Sequence, residues 1–172
     1  ICEFATGYDN CDLAYCKSRG IRVTNVVDYC SAMVAQHTFA LALALCQKLP
    51  HYDNYVKSGA YSAQDRFSNF DIPFYELEGK TWGIVGMGNI GKRVARIATA
   101  FGCKVIFHSV TGKSTVTEYP QVDKDTLLRE ASYVFCGHSC RQDLHPLGWS
   151  CQPCRSCGGS YTFFEYLRFE PM

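Results

Sequence analysis

Residues 81–91 read TWGIVGMGNIG, a short apolar run that leads directly into three closely spaced glycines. The residues that follow repeat apolar side chains along one face of a helix, at Ile90, Val94, Ile97, Ala98 and Phe101. Gly102 stands where a helix is expected to end, and residues 103–108 form a second apolar run. Strand, turn, helix and strand together occupy about 28 residues, which is the size of a βαβ unit. The pattern predicts an α/β fold built on a parallel sheet.

The three glycines of the turn have separate predicted roles in binding a dinucleotide. Gly86 permits a tight turn off the strand, Gly88 leaves room for a pyrophosphate, and Gly91 lets the helix pack closely on the strand. The helix that starts near Gly88 directs unpaired N–H groups and its positive dipole end at the phosphates, so Asn89 and Ile90 belong to the predicted cofactor site. Such glycines also occur in purely structural turns, but their position between a strand and a helix favours dinucleotide binding.

The end of the second predicted strand bears on which dinucleotide binds. An NAD site usually has Asp or Glu there, about 20 residues after the glycine turn, to bind the ribose 2′-hydroxyl. This chain has Ser109 at that place and no acidic residue before Glu118. The same loop contains Thr111, Lys113 and Ser114, which could bind and neutralise a 2′-phosphate. The site is therefore predicted to bind NAD or NADP, with NADP favoured; the alternative is that Lys113 is an ordinary solvated lysine.

The residues before the glycine turn predict further elements. Residues 11–19 are typical of a helix, and the β-branched residues 20–27 of a short strand. A helix over 33–48 is apolar on nearly every side, so we expect it to be buried between layers, with Ser31 as its cap and Pro50 ending it.

Residues 51–79 have few periodic signals. They predict either a long arm that reaches another subunit or an ordinary solvent loop.

Composition excludes several classes of function. A net charge of +1 with both signs scattered gives no basic surface for nucleic acid and no polybasic membrane patch. The longest apolar stretch, residues 39–46, is far shorter than the roughly 20 residues that span a bilayer. The six cysteines before residue 135 lack the spacing of a disulfide framework. We therefore expect a soluble, cytoplasmic protein with reduced thiols and no nucleic-acid or membrane partner.

The composition changes sharply near residue 135. Residues 1–135 contain twelve Val and seven Ile, whereas residues 136–172 contain neither and no Ala. The tail has five cysteines and two histidines, which makes a zinc-binding module one interpretation, although their spacing does not match a zinc ribbon. A disordered extension is a second interpretation. The favoured one is translation in a shifted reading frame, so no metal ligand is predicted here.

Four further segments precede or adjoin the glycine turn: ATGYDNCD at 5–12, GIRVTNV at 20–26, VAQHT at 34–38 and LEGKT at 77–81. In this order and spacing the chain resembles the D-isomer-specific 2-hydroxyacid dehydrogenases, the family of glycerate, phosphoglycerate and D-lactate dehydrogenases. The resemblance implies a partial Rossmann-type, doubly wound parallel sheet with a remnant of the substrate domain. The expected division is 1–28 for that remnant, 29–135 for the first half of the NAD(P)-binding domain with its linking helix and arm, and 136–172 for a tail outside the family.

The resemblance also implies a function. The parent enzyme is expected to be an oxidoreductase that transfers a hydride between nicotinamide and a D-2-hydroxy or 2-keto acid, with Ala5, Thr6 and Gly7 lining the substrate carboxylate. The arm implies a homodimer, and His37 is expected to be a core histidine. The family's catalytic arginine, carboxylate and histidine match no position here, so no catalytic residue is predicted and the chain is expected to be an inactive fragment. A dinucleotide-binding sensor without catalysis, like the family's transcriptional corepressors, is the alternative.

Overall fold

The computed structural model describes residues 1–8 and 10–137, and three parallel strands form the sheet of this part of the chain. They are β1 (Thr81–Val85), β2 (Lys104–His108) and β3 (Tyr133–Cys136), in the order β2-β1-β3. The helices of the same part are α1 (Leu13–Ser18), α2 (Ser31–Cys46), α3 (Leu49–Lys57), α4 (Ala60–Ala63), α5 (Asn89–Ala100) and α6 (Lys124–Glu130). Since β1 is central and parallel to both neighbours, all three carboxyl ends lie at one edge, with Val85 opposite His108 and Cys136.

The two faces of the sheet are covered by different helices. Side chains alternate along each strand, so one face carries Trp82, Ile84, Val105, Phe107, Tyr133 and Phe135, which pack with buried residues of α2 and α5. The opposite face carries Val85, Ile106 and Val134, which pack with Leu127 of α6 and Ala131. A sheet with helices on both faces confirms the predicted doubly wound α/β architecture.

Helix α5 follows the predicted pattern closely. Val94, Ala95 and Ala98 are buried against the sheet, and Ile90 and Ile97 pack half-buried beside them. The helix is followed by Gly102, whose φ of +75° is the left-handed conformation that glycine adopts without strain. Strand, turn, helix and strand over 81–108 are therefore confirmed as predicted.

Helix α2 is buried on one face only, which corrects the expectation that it lies buried between layers. Ala35, Phe39, Ala42 and Cys46 form its buried stripe, and the ring of Phe39 stacks on Trp82 with centroids 4.6 Å apart. On the outer face Met33 is 71% exposed. His37 is also exposed, so its assignment to the core is wrong. Within the described residues, α2 has α5 and the sheet on one side and no second layer on the other.

Two predicted helix signals act differently from expectation. Ser31 is the first residue of α2, where its hydroxyl donates to the Asp28 carboxylate, and Cys30 is the N-cap. Pro50 begins a helix instead of ending one, because it lies in the first turn of α3. A proline there loses no helical hydrogen bond, since the first N–H groups of a helix have no partner within it.

The N-terminal segment forms α1 but not the strand predicted over 20–27. Asp12 caps α1 by accepting a hydrogen bond from the Tyr15 N–H at 2.8 Å. Thr24 makes only an isolated parallel bridge with Cys2, and Val26 donates to the Ala5 carbonyl. The predicted strand therefore meets a partner at separate points only, and no continuous ladder forms.

Residues 51–79 also differ from prediction at their start, since α3 and α4 extend to Ala63. The predictions for the Cys-rich tail fall almost entirely on residues 138–172, outside the described residues. No helix in the part of the chain that the structure describes is long and apolar enough to cross a membrane.

Candidate cofactor site

The glycine turn at the end of β1 uses each glycine for a different physical reason. Gly86 has a φ of +91° and donates its N–H to the His108 carbonyl at 3.0 Å, which turns the chain off the strand beside β2. A Cβ at Gly91 would lie 2.3 Å from the Gly86 carbonyl oxygen, so only glycine lets α5 approach the turn this closely. A Cβ at Gly88 would meet nothing within 4 Å. The turn is therefore tightly packed where Gly91 meets Gly86 and open on the side of Gly88.

The start of α5 presents unpaired donors to this open side. Gly88 is the N-cap, without a side-chain capping hydrogen bond, and the first turn contains no acidic residue. Within residues 1–8 and 10–137, the N–H groups of Gly88, Asn89, Ile90 and Gly91 have no hydrogen-bond acceptor. Helix N-termini with free N–H groups bind anions, because the partial charges of the amides sum to a positive end.

A cavity of about 320 Å³ lies between this turn and the loop that follows β2. Its walls are formed by Gly86, Met87, Gly88, Lys92, Ser109, Val110, Thr111 and residues 113–116. The structure thus brings four predicted cofactor residues, Gly86, Gly88, Ser109 and Lys113, to a single cavity. Asn89, Ile90 and Gly91 do not line it; Gly91 lies packed beneath the turn and Ile90 packs against the core.

The loop after β2 is shaped by its own short-range hydrogen bonds. The N–H of Gly112 donates to the Ser109 carbonyl at 3.1 Å, and Gly112 takes a φ of +65°. The N–H of Lys113 donates to the Thr111 hydroxyl at 3.4 Å. These bonds fold the loop back on itself, which places Ser109 and Lys113 on the same cavity although four positions separate them.

His108 and Val122 fix the base of this loop. Val122 donates its N–H to the Phe107 carbonyl at 2.9 Å, and its own carbonyl lies 3.2 Å from Nδ1 of His108. Residues 109–121 are therefore tied at both ends to the carboxyl end of β2. The sheet therefore fixes the position of the loop and, with it, of the cavity that the loop lines.

The cavity is electrostatically positive. Its lining includes Lys92 and Lys113 and no acidic side chain. Neither cavity lysine forms an ion pair with a carboxylate of the described residues. Sequence reasoning did not identify Lys92. A lysine directly after the first turn of a helix that lacks any acidic capping residue was the signal that could have found it.

The predicted substrate residues Ala5, Thr6 and Gly7 lie on the N-terminal segment and not among the residues that line this cavity. The Thr6 hydroxyl donates to the Val26 carbonyl at 3.1 Å, and the Asn25 amide donates to the Thr6 carbonyl at 2.7 Å. Among the described residues the N–H groups of Ala5, Thr6 and Gly7 have no acceptor.

No metal site was predicted before residue 136. Within residues 1–8 and 10–137, no group of three or more His, Cys, Asp or Glu side chains is placed to hold a metal ion.

Comparison with known proteins identifies the part of the chain that contains this cavity. Residues 39–146 match the family model described as the D-isomer specific 2-hydroxyacid dehydrogenase, NAD binding domain. The chain is 37% identical over 138 residues to a glyoxylate reductase of Thermococcus litoralis, covering 78% of this chain and 42% of the relative. It is 35% identical over 133 residues to a glycerate dehydrogenase of Methylorubrum extorquens, covering 76% of this chain and 40% of the relative. The chain therefore spans less than half the length of these relatives.

Solved structures of nicotinamide-dependent enzymes also resemble this chain. A D-lactate dehydrogenase of Aquifex aeolicus, solved with NAD and lactic acid, superposes with a TM-score of 0.71 and 34% identity, covering 83% of this chain and 42% of that one. An acyclic imino acid reductase solved with NADPH and D-Arg superposes with a TM-score of 0.72 and 32% identity, covering 83% of this chain and 44% of that one. Both similar proteins were thus solved with a nicotinamide dinucleotide, NAD in one and NADPH in the other.

Proposed function

The chain belongs to the D-isomer specific 2-hydroxyacid dehydrogenase family, and we propose that it supplies the NAD(P)-binding part of an oxidoreductase acting on a small 2-hydroxy or 2-keto acid. The observation that carries this proposal is the open space above Gly88, where four backbone N–H groups lack acceptors and a Cβ would meet nothing. When bound, the dinucleotide supplies the nicotinamide that donates or accepts the hydride. The chain's own residues hold and orient it.

The N–H groups of Gly88 to Gly91 bind the pyrophosphate. They converge at the positive end of α5, and the absence of a side chain at Gly88 lets the phosphates approach the backbone closely. Gly91 contributes indirectly, because its contact with the Gly86 carbonyl holds the helix end against the strand. The residues present therefore fit a dinucleotide without rearrangement of the turn.

The loop after β2 favours NADP over NAD. Ser109 occupies the position where NAD sites place a carboxylate, and a carboxylate there would repel a 2′-phosphate. Lys113, Thr111 and Ser114 line the same cavity and offer one positive charge and two hydroxyl groups. A phosphate with nearly two negative charges is stabilised by such a set, whereas a free 2′-hydroxyl gains little from it.

The N-terminal segment binds the substrate carboxylate in this proposal. Ala5, Thr6 and Gly7 have backbone N–H groups without acceptors in the described part of the chain, and the hydrogen bonds of Thr6 to Val26 and Asn25 hold them in place. Residues 1–28 then belong to the substrate domain and residues 29–135 to the cofactor domain. Because the chain spans less than half of its relatives, the complete reaction is proposed for the parent enzyme.

Homodimer formation through residues 51–79 is the remaining part of the proposal. The side chains of Phe67, Phe70 and Phe74 are 87%, 73% and 50% exposed. Three aromatic rings exposed within eight positions are typical of a surface that another chain covers.

The test is a fluorescence titration of the chain with NADPH and with NADH. We expect saturable binding of both, with NADPH bound about tenfold more tightly, since one charge-assisted phosphate interaction contributes on that order. A chain whose folded state is verified by circular dichroism and which binds neither dinucleotide would refute the function. Binding of both with NADH preferred would refute only the NADP preference.

A further inference from the structure

Lys92 and Lys113 reach the same cavity from different elements. Lys113 belongs to the loop after β2, whereas Lys92 lies one turn into α5 and donates its backbone N–H to the Gly88 carbonyl at 2.9 Å. The lysine on the loop is where an NADP site is expected to have a cation. Lys92 on the helix is a second cation in the cavity, and the glycine motif does not require it.

The position of Lys92 opposes the electrostatics of its own helix. Cations near a helix N-terminus are unfavourable, because that end is already positive. The first turn of α5 has no acidic residue to offset the charge, and neither Lys92 nor Lys113 has a carboxylate within 4.0 Å among the described residues. Two uncompensated ammonium groups on one acid-free cavity form an arrangement that a bound anion stabilises.

The placement of Lys92 distinguishes between the two phosphate groups of the cofactor. The pyrophosphate already has the N–H groups of Gly88 to Gly91 as donors. The cavity that Lys92 lines is closed by Ser109, Thr111 and Lys113, which is the side where the adenosine ribose lies in this fold. We infer that Lys92 is a specificity-determining residue that binds the 2′-phosphate of NADP from the helix side, while Lys113 binds it from the loop side. This inference rests on the proposed function.

The experiment compares Lys92→Gln and Lys113→Gln with a matched control, Lys104→Gln, in titrations of the full chain with NADPH and NADH. Lys104 is exposed at the start of β2 and does not line the cavity, so its substitution makes the same charge change elsewhere. We expect Lys92→Gln and Lys113→Gln each to weaken NADPH binding about five- to tenfold and to change NADH binding less than twofold. Lys104→Gln should leave both affinities unchanged, and Lys92→Arg should retain NADPH affinity within about threefold because it keeps the charge.

Other outcomes of these titrations overturn either the inference about Lys92 or the proposed function itself. If Lys92→Gln weakens NADPH and NADH equally, Lys92 contacts the pyrophosphate and the inference is overturned while the proposed function stands. If Lys92→Gln changes neither affinity, the inference is also overturned. If the unsubstituted chain binds neither dinucleotide, the proposed function itself fails. Competition by adenosine 2′,5′-bisphosphate, which lacks the pyrophosphate, gives a second readout: Lys92→Gln should weaken it and leave 5′-AMP unaffected.

Discussion

Residues 81–136 and residues 1–30 contain similar kinds of apolar side chains but use them in opposite ways. In 81–136 the strands and helices bury Trp82, Ile84, Phe107 and Leu127 almost completely. Among the described residues of 1–30 the one buried hydrophobic residue is Cys16, while nine large apolar side chains are exposed, including Phe4 at 93%. The first region supplies most of a core that α2 completes on one face of the sheet, and the second forms no such core.

Because of this difference, the proposed cofactor site and the proposed substrate site are supported unequally by the fold. The glycine turn and the loop after β2 are attached to the sheet and its core, so the cavity between them is held by the part of the described chain that buries the most apolar side chains. The predicted substrate residues Ala5, Thr6 and Gly7 are held by a few hydrogen bonds to residues 25 and 26. We therefore expect cofactor binding to persist under conditions in which the N-terminal segment has already opened.

The comparison is tested most strongly by truncating one leucine in each region. Leu127 is fully buried beneath the sheet, and Leu127→Ala should lower the free energy of unfolding by about 3 to 4 kcal/mol, since it removes buried methyl groups and leaves a cavity. Leu13 in α1 is 46% exposed, and Leu13→Ala should change the free energy of unfolding by less than about 0.5 kcal/mol. Urea unfolding followed by tryptophan fluorescence measures both. Equal losses would mean that the N-terminal segment shares the core.

A second pair of substitutions separates folding from binding within the glycine turn. Gly91→Ala places a Cβ 2.3 Å from a backbone oxygen that cannot move aside, so it should destabilise the protein by about 3 kcal/mol. A Cβ at Gly88 meets nothing within 4 Å and the φ of −80° suits alanine, so Gly88→Ala should cost only the weaker N-cap, at most about 1 kcal/mol, while dinucleotide affinity falls at least tenfold. Thermal melting and NADPH titration of both variants check this. Normal NADPH binding by Gly88→Ala would contradict the proposed position of the pyrophosphate.

Alkaline pH should weaken the core of residues 81–136 through Tyr133. Burial, with the neighbouring Cys46, Cys103 and Tyr75, raises the pKa of this phenol to about 12. The unfolded chain releases the same proton near pH 10, so the folded state is favoured less and less as pH rises from about 10 to 12. The loss should approach about 2 to 3 kcal/mol by pH 12. Burial also raises the pKa of the Cys46 and Cys103 thiols, which adds a loss in the same direction at somewhat lower pH.

The measurement is urea unfolding between pH 8 and pH 12 for the chain and for Tyr133→Phe. Phenylalanine has no proton to release, so the variant should show a shallower decline above pH 10. A decline of unchanged steepness would assign the alkaline loss to other groups.

The sequence predicted best what depends on neighbouring residues along the chain. The close packing at Gly91 was predicted from the glycine motif, and the end of the helix at Gly102 from the residue that follows the periodic pattern. Both follow from local backbone geometry. The strand expected over 20–27 failed because strand pairing depends on a distant partner, and residues 1–5 meet it only at separate points. Pro50 was misread because the same residue can end one helix or begin the next, and only the position of α3 distinguishes these outcomes.

The candidate site shows the same limit. Gly86 and Gly88 could be assigned from the motif and its position between a strand and a helix. Gly86 takes a positive φ in the turn, and Gly88 leaves the space that a pyrophosphate needs. The charge of Lys92 near the helix start is visible in the sequence, but its position in the cavity is not, since that depends on a loop 17 or more positions away folding back toward α5. Charges that meet across a cavity leave no periodic pattern in the sequence.

The most direct test of the central claim is a ¹H–¹⁵N NMR titration of the chain with NADPH. If the backbone N–H groups after Val85 hold the linked phosphates, the largest shifts should occur at residues 86–91, with smaller ones at 109–116, while Leu13–Ser18 stay unchanged. Saturable binding that leaves the resonances of residues 86–91 in place would contradict the claim.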